Sequence, residues 1–104
     1  MIPNKIAFFL LITFSLAAGV AQADGDAEAG KAKAETCASC HGADGKGDDV
    51  NPPLAGLEQE FFVKELQAFK DGSRENPMMQ MFASQLNDQD MADLAAYFAT
   101  LKAD

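Results

Sequence analysis

The two cysteines and the single histidine of this chain lie within one pentapeptide, Cys37-Ala38-Ser39-Cys40-His41. Cys-x-x-Cys-His is the attachment signature for c-type haem. At a helix end, two thiols three residues apart can reach the two vinyl groups on one haem edge, and the following imidazole can bind the iron as proximal ligand. The spacing therefore predicts one haem c, bound covalently through Cys37 and Cys40 and ligated by His41.

The pentapeptide has three other interpretations. A dithiol–disulfide redox motif has the same spacing but is expected in a βαβ context, and no segment of this chain alternates convincingly with period two. A zinc site would have only Cys37, Cys40 and His41, and adjacent Cys and His ligands are a poor start for a tetrahedron. A structural disulfide beside a bystander histidine is the third. Haem is favoured because the chain lacks other Cys and His, has an export signal, and has long loops that need a bound group to pack around.

A second protein ligand for the iron would have to be a methionine, since the chain has no other histidine. Met91 falls on the apolar stripe of the last predicted helix, where a core position is the ordinary interpretation. Met78, Met79 and Met81 follow Pro77, and three thioethers in four residues exceed what packing requires. A His/Met pair is a known haem arrangement that raises the reduction potential. These residues by themselves leave the choice among the three methionines open.

The elements that position these residues are predicted to be helices and loops. Helices are predicted at residues 24–36, at residues 58–71 with Gly72 as the stop, and after the capping residue Asn87, while residues 41–57 and 73–86 are predicted loops rich in Gly, Pro, Asp or Met. The inward faces are predicted to carry Phe62, Leu66, Phe69, Met91, Leu94, Ala95 and Phe98. The predicted fold is all-α, with about three helices and two long loops wrapped around one haem. Loops of that length are unusual in a small domain unless they wrap something.

The first 23 residues have the pattern of a secretory signal peptide. One lysine precedes the apolar run 6–20, and Ala21-Gln22-Ala23 places small residues where a signal peptidase cleaves. As a helix the run would reach about 22 Å, short of a hydrocarbon core of about 30 Å, although an uncleaved membrane anchor is the alternative. We expect residues 1–23 to be removed, leaving residues 24–104 as one monohaem domain in the periplasm, without stable membrane insertion.

The expected mature chain is strongly acidic. Without Lys5, residues 24–104 carry seven basic and sixteen acidic side chains, a formal charge of −9. This charge argues against nucleic acid or an anionic membrane surface as a partner and favours a basic protein face. We expect redox proteins as partners; the charge gives no indication of an oligomeric state.

From about Asp26 to Leu101 the chain resembles the class I c-type cytochromes of the bacterial cytochrome c4/c553 group. The matching segments are CASCHGADGKG, PPLAG, VKELQAFKDGSR and MMQMFASQLNDQDMADLAAYF, in that order. The first segment is very specific, while the others are weaker singly but arrive in the right order and spacing. The resemblance implies the small cytochrome c fold, in which the first and last helices cross with Gly30 beneath Tyr97.

The resemblance also implies a set of residues around the haem. Pro52 would present its carbonyl to the second ring nitrogen of His41, and Leu54 would pack on the haem. The axial methionine of the group stands seven residues before the leucine that precedes the last helix, and counting back from Leu86 gives Met79.

Filled axial positions would leave substrate no open site on the iron. The expected function is therefore single-electron transfer through the haem edge, without enzymatic activity. One alternative is a five-coordinate haem that binds small ligands or reduces peroxide. The other is a haem subunit of a larger dehydrogenase.

Overall fold

The computed structural model describes residues 24–103 of the chain, and within this range it contains five α-helices and no β-strand. The helices are α1 (Ala27–Lys33), α2 (Glu35–His41), α3 (Gln59–Asp71), α4 (Pro77–Ala83) and α5 (Asp88–Ala99). The all-α prediction is confirmed. The predicted leader 1–23 lies outside the described residues, and no helix between residues 24 and 103 is long and apolar enough to cross a membrane.

The first predicted helix is divided in two and extends further than expected. It begins after Asp26, whose side chain accepts hydrogen bonds from the N–H groups of Glu28 and Ala29. Ala34 joins α1 to α2 in a helical conformation, and its backbone still accepts a bond from the Ala38 N–H at 2.9 Å. The predicted end at residue 36 was too early, because α2 continues to His41 and carries the whole Cys-x-x-Cys-His pentapeptide.

Helices α1 and α5 cross in close contact. A Cβ atom added to Gly30 would lie 1.9 Å from the Asp93 carbonyl oxygen and 2.8 Å from the Tyr97 Cβ. Gly25, just before α1, is similarly close, with an added Cβ only 2.0 Å from the Ala92 carbonyl oxygen. The predicted crossing of Gly30 beneath Tyr97 is confirmed, and it requires the absence of a side chain at residue 30.

A buried carboxylate reinforces the same crossing. Asp93, only 3 % exposed, accepts hydrogen bonds from the Asp26 N–H and the Gln89 amide, both at 2.8 Å, and pairs with the Lys33 ammonium. These bonds, the Asp26 N–H first, lower the pKa of Asp93 to about 2. Asp93 therefore ties the start and the end of α1 to the middle of α5.

The hydrophobic core lies between α3, α5 and the α1–α2 junction. All seven predicted inward positions are buried, and the Phe62 and Phe98 rings stack with centroids 5.4 Å apart. Met91 is fully buried, so its predicted role as a core side chain is confirmed. Gly72 ends α3 with the left-handed φ of 81° that glycine adopts without strain.

The second predicted loop contains a helix that the sequence interpretation missed. Residues 77–83 form α4, with Pro77 in its first turn and the Asn76 side chain accepting the Met79 N–H at 3.0 Å. An N-cap asparagine followed by proline is a normal helix start, because proline has no N–H to leave unpaired there. The loop prediction for residues 73–86 is therefore wrong over α4.

Candidate haem-binding site

Helix α2 presents the two thiols and the imidazole in its last turn. Cys37 is partly buried against the core, whereas Cys40 is exposed, and the two thiols are not joined in a disulfide. Burial raises the pKa of the Cys37 thiol. His41, the last residue of the helix, is only 7 % exposed, and Gly42 turns the chain away with a φ of 88°.

The imidazole of His41 is oriented by the loop that follows it. Its Nδ1 lies 2.8 Å from the Pro52 carbonyl oxygen. A carbonyl oxygen only accepts, so Nδ1 carries the proton and Nε2 keeps a free lone pair. Nε2 has no hydrogen-bond partner among residues 24–103. This arrangement of one nitrogen held by a carbonyl and the other left free is typical of a metal-binding histidine.

The loop between α2 and α3 is folded on itself by backbone hydrogen bonds. The N–H groups of Leu54 and Ala55 both donate to the Gly45 carbonyl oxygen, at 2.7 and 2.9 Å. The side chain of Leu54 is half-buried and packs against the core, while Pro52 is exposed. The predicted loop is thus an ordered segment that holds the Pro52 carbonyl at one place.

The three neighbouring methionines differ in burial. Met79 is partly buried and packs against the core cluster that Cys37 and Leu54 also contact. Met78 and Met81 point largely to solvent, with 58 % and 51 % of their surface exposed. Helix α4 therefore turns one of the three candidate thioethers inward.

The residues in this region fit a covalently bound haem. Two free thiols stand three residues apart on a helix end, and an imidazole with a free Nε2 follows them. Half-buried apolar side chains from four parts of the chain surround the same core, namely Leu54, Leu57, Val63, Met79 and Leu101. Thiols, a nitrogen ligand, a thioether and an apolar surface are the groups that c-type haem uses.

Two residues that shape this site had no prediction attached to them. The N–H of Gly47 donates to the His41 carbonyl oxygen at 2.8 Å, and the Asp48 carboxylate accepts from the Val50 and Asn51 N–H groups. The available signal was the Gly-Asp-Asp-Val-Asn run, because Asp and Gly favour turns closed by local side-chain hydrogen bonds. By composition alone the run predicts a loop but not which atoms close it.

An all-helical fold with this pentapeptide at a helix end defines a c-type haem protein. The comparison with known families agrees and is more specific. Residues 27–102 match the cytochrome c family, and the chain belongs to it.

Similar proteins include a cytochrome of about twice the length of this chain and a shorter one that this chain spans almost completely. Cytochrome c4 of Pseudomonas aeruginosa is 47 % identical over 100 residues, which cover 95 % of this chain and 49 % of that protein. Cytochrome c-554(548) of Halomonas halodenitrificans is 39 % identical over 80 residues, covering 73 % of this chain and 96 % of that one. The chain spans about half the length of the cytochrome c4 it matches.

Solved structures give the same fold. Cytochrome c4 of Acidithiobacillus ferrooxidans superposes with a TM-score of 0.72 at 32 % identity, covering 75 % of this chain and 51 % of that one. Thiosulfate dehydrogenase of Marichromatium purpuratum superposes with a TM-score of 0.69 at 35 % identity, covering 72 % of this chain and 18 % of that one.

The protein is therefore a class I c-type cytochrome, with haem c bound through Cys37 and Cys40. The predictions of family, fold class and cofactor are confirmed.

Proposed function

We propose that this protein is a periplasmic single-electron carrier whose haem iron is ligated by His41 and Met79. Residues 1–23 would be the export signal, and residues 24–104 the monohaem domain. The apolar run 6–20 and the small residues before Asp24 support export. The single Cys-x-x-Cys-His pentapeptide supports one haem, and the match to 96 % of cytochrome c-554(548) supports a cytochrome built from one domain of this kind.

The burial of Met79 carries the proposal of the sixth ligand. Met79 packs on the same core cluster as Cys37, the first haem-binding thiol, while its neighbours Met78 and Met81 are exposed. A thioether is a weak ligand, so it needs a position from which water is excluded. Among the three candidates Met79 is the least exposed and is the one packed against the core.

The protein contributes fixed geometry to electron transfer. Haem c supplies an iron that changes between ferric and ferrous states. His41, whose ring is oriented by the Pro52 carbonyl, would offer Nε2 to the iron. Leu54 would cover the haem with apolar surface, and the neutral thioether of Met79 would favour ferrous iron. With both axial positions filled, substrate has no site on the metal.

The partner is proposed to be a redox protein with a basic docking face. The charge of −9 on residues 24–104 favours such a face and disfavours nucleic acid.

A second candidate function, the haem subunit of a larger dehydrogenase, is favoured by one observation. The thiosulfate dehydrogenase of Marichromatium purpuratum contains a segment of the same fold within a much longer chain.

Substitution of the three methionines tests the ligand assignment. Met79→Ala in the haem-loaded protein should remove the weak far-red absorption of a thioether–ferric haem bond and open the iron to cyanide. It should also lower the reduction potential by on the order of 100 mV, since axial ligands spread haem potentials over about 0.8 V. Visible spectra and redox titration measure both effects.

Met78→Ala and Met81→Ala are the matched controls, because they remove a thioether from exposed positions beside Met79. Both should keep the far-red band and the potential. Loss of the band in either control, with the band intact in Met79→Ala, would contradict the assignment.

A further inference from the structure

The carbonyl that orients His41 belongs to a residue eleven positions further along the chain. Pro52 is exposed, so core packing does not hold it in place. Its position depends on the backbone bonds of Leu54 and Ala55 to Gly45 that follow it and on the turn of residues 47–51 that precedes it.

Gly47 lies directly against this carbonyl. A Cβ at residue 47 would be 2.2 Å from the Asn51 carbonyl oxygen and 2.8 Å from the Pro52 carbonyl oxygen, and Gly47 has a φ of +70°. Its own N–H donates to the His41 carbonyl oxygen at 2.8 Å. Gly47 thus bonds to the backbone of His41 and leaves no room for a Cβ beside the Pro52 carbonyl, so no other residue type fits there without moving that carbonyl.

Asp48 closes the turn. Its backbone N–H donates to the Asn51 carbonyl oxygen at 2.8 Å, and its Oδ1 accepts from the N–H groups of Asn51 at 2.7 Å and Val50 at 2.8 Å. The Asn51 amide also donates to Oδ1, at 3.3 Å. These bonds fix the residue directly before Pro52. The N–H groups of Asn51 and Val50 lower the pKa of Asp48, so its carboxylate is the accepting form at neutral pH.

We propose that Gly47 and Asp48 are positioning residues that hold the Pro52 carbonyl on His41 Nδ1 and thereby set the reduction potential of the haem. The inference rests on the proposed ligation of iron by His41. A hydrogen bond at Nδ1 makes the imidazole a more basic ligand, and a more basic ligand stabilises ferric iron. Loosening the turn lengthens that bond, raises the reduction potential and lets the Nδ1 proton exchange faster with water.

Gly47→Ala tests the close approach in the haem-loaded protein. The added methyl group displaces the Pro52 carbonyl, so the potential should become more positive and the Nδ1 proton should exchange at least tenfold faster. Gly72→Ala is the matched control, because Gly72 also has a positive φ, of 81°, while its added Cβ would meet its nearest atom at 3.5 Å. It carries the same backbone strain and should leave both readouts unchanged.

Asp48→Ala and Asp48→Asn test the turn without adding volume. Both variants remove the negative charge, and this removal by itself favours ferrous iron. The asparagine side chain, however, still has an oxygen that accepts the two N–H groups. The difference between the two variants therefore isolates the hydrogen bonds. Asp48→Ala should have the more positive potential and the faster Nδ1 exchange, and Asp48→Asn should approach the wild type at high salt, where the exposed charge is screened.

Redox titration and proton NMR of the holoproteins decide the outcome. A slowly exchanging His41 Nδ1 proton in the wild type, shifted by haem, first establishes that His41 ligates iron. Its absence would overturn the proposed function and this inference with it. With that signal present, equal potentials and exchange rates in Asp48→Ala and Asp48→Asn, or an unshifted Gly47→Ala, would overturn the positioning role alone. If Gly47→Ala does not mature, the Asp48 pair still decides.

Discussion

Single residues of this cytochrome act largely through backbone groups far away in sequence. His41 bonds to the Pro52 carbonyl, and Asp93 accepts the N–H of Asp26 across 67 positions. Such contacts leave little trace in residue patterns, because every residue has a carbonyl and nearly every residue an N–H. The resemblance to cytochromes c4 implied the first contact, whereas nothing in the sequence pointed to the second.

Asp93 makes the stability of the fold depend on acid pH. Its pKa is about 2 in the folded protein against the ordinary 3.8, so the folded state binds its proton less readily than the unfolded state. The stabilisation is therefore present above about pH 4 and is lost as the pH falls towards 2. The shift corresponds to roughly 2 kcal/mol.

Asp93→Asn should remove this contribution. Chemical unfolding of the holoprotein between pH 7 and pH 2 should show the variant less stable by roughly 2 kcal/mol at neutral pH, with the gap closing towards pH 2. Asp88→Asn, an exposed substitution at the start of the same helix, is the control. A gap that stays constant across the pH range would show that the lost stability does not come from the ionised carboxylate.

At the scale of helices, the repeat of apolar side chains predicted the structure better than the loop-forming residues did. The stripes of α3 and α5 were predicted correctly, since burial of Phe62, Leu66 or Phe98 depends on the 3.6-residue repeat. The seven-residue α4 was missed, because it is too short for a repeat and Pro77 lies within the predicted loop 73–86. Its Asn-Pro start was the usable signal, and without α4 the sequence could not show which methionine turns inward.

Gly30→Ala tests the close crossing of α1 and α5, because helix propensity and packing change the stability in opposite directions. By helix propensity, Gly30→Ala should stabilise α1 by up to about 1 kcal/mol. By packing it should destabilise the protein by about 1–3 kcal/mol, because the new methyl group would overlap the Asp93 carbonyl and force the helices apart.

We expect packing to dominate, so Gly30→Ala should lower the thermal midpoint of the holoprotein. Ala32→Gly, at an exposed position of the same helix, measures the propensity effect without the clash. A higher midpoint for Gly30→Ala would mean that the two helices are not in close contact.

For the molecule as a whole, the protein's own core is thin. Of the eleven buried hydrophobic residues in the part of the chain that the structure describes, five are alanines, which bury little apolar surface. The half-buried side chains of Leu54, Leu57 and Met79 lie at the edge of this core. A small domain with so small a core needs a further source of stability, and we expect the haem to supply it.

The haem-free chain should therefore lose much of its helix. Expression without the haem-attachment machinery gives apoprotein, and far-ultraviolet circular dichroism should show markedly less helix than in the holoprotein at the same pH. The loss should include α4, because few apolar contacts besides those of Met79, Phe82 and Ala83 hold it. Near-equal helix content in the two forms would mean that the core is sufficient without haem.

Carbon monoxide binding to the reduced wild-type protein tests the central claim most directly, because it reports whether the sixth position on the iron is filled. A His41/Met79-ligated electron carrier should bind carbon monoxide slowly and incompletely at neutral pH, since the gas has to displace a thioether held against the core. Met79→Ala, measured beside it, should bind the gas rapidly. Rapid, stoichiometric binding by the wild type would contradict the account, and chemistry at an open iron would then explain the protein better than electron transfer does.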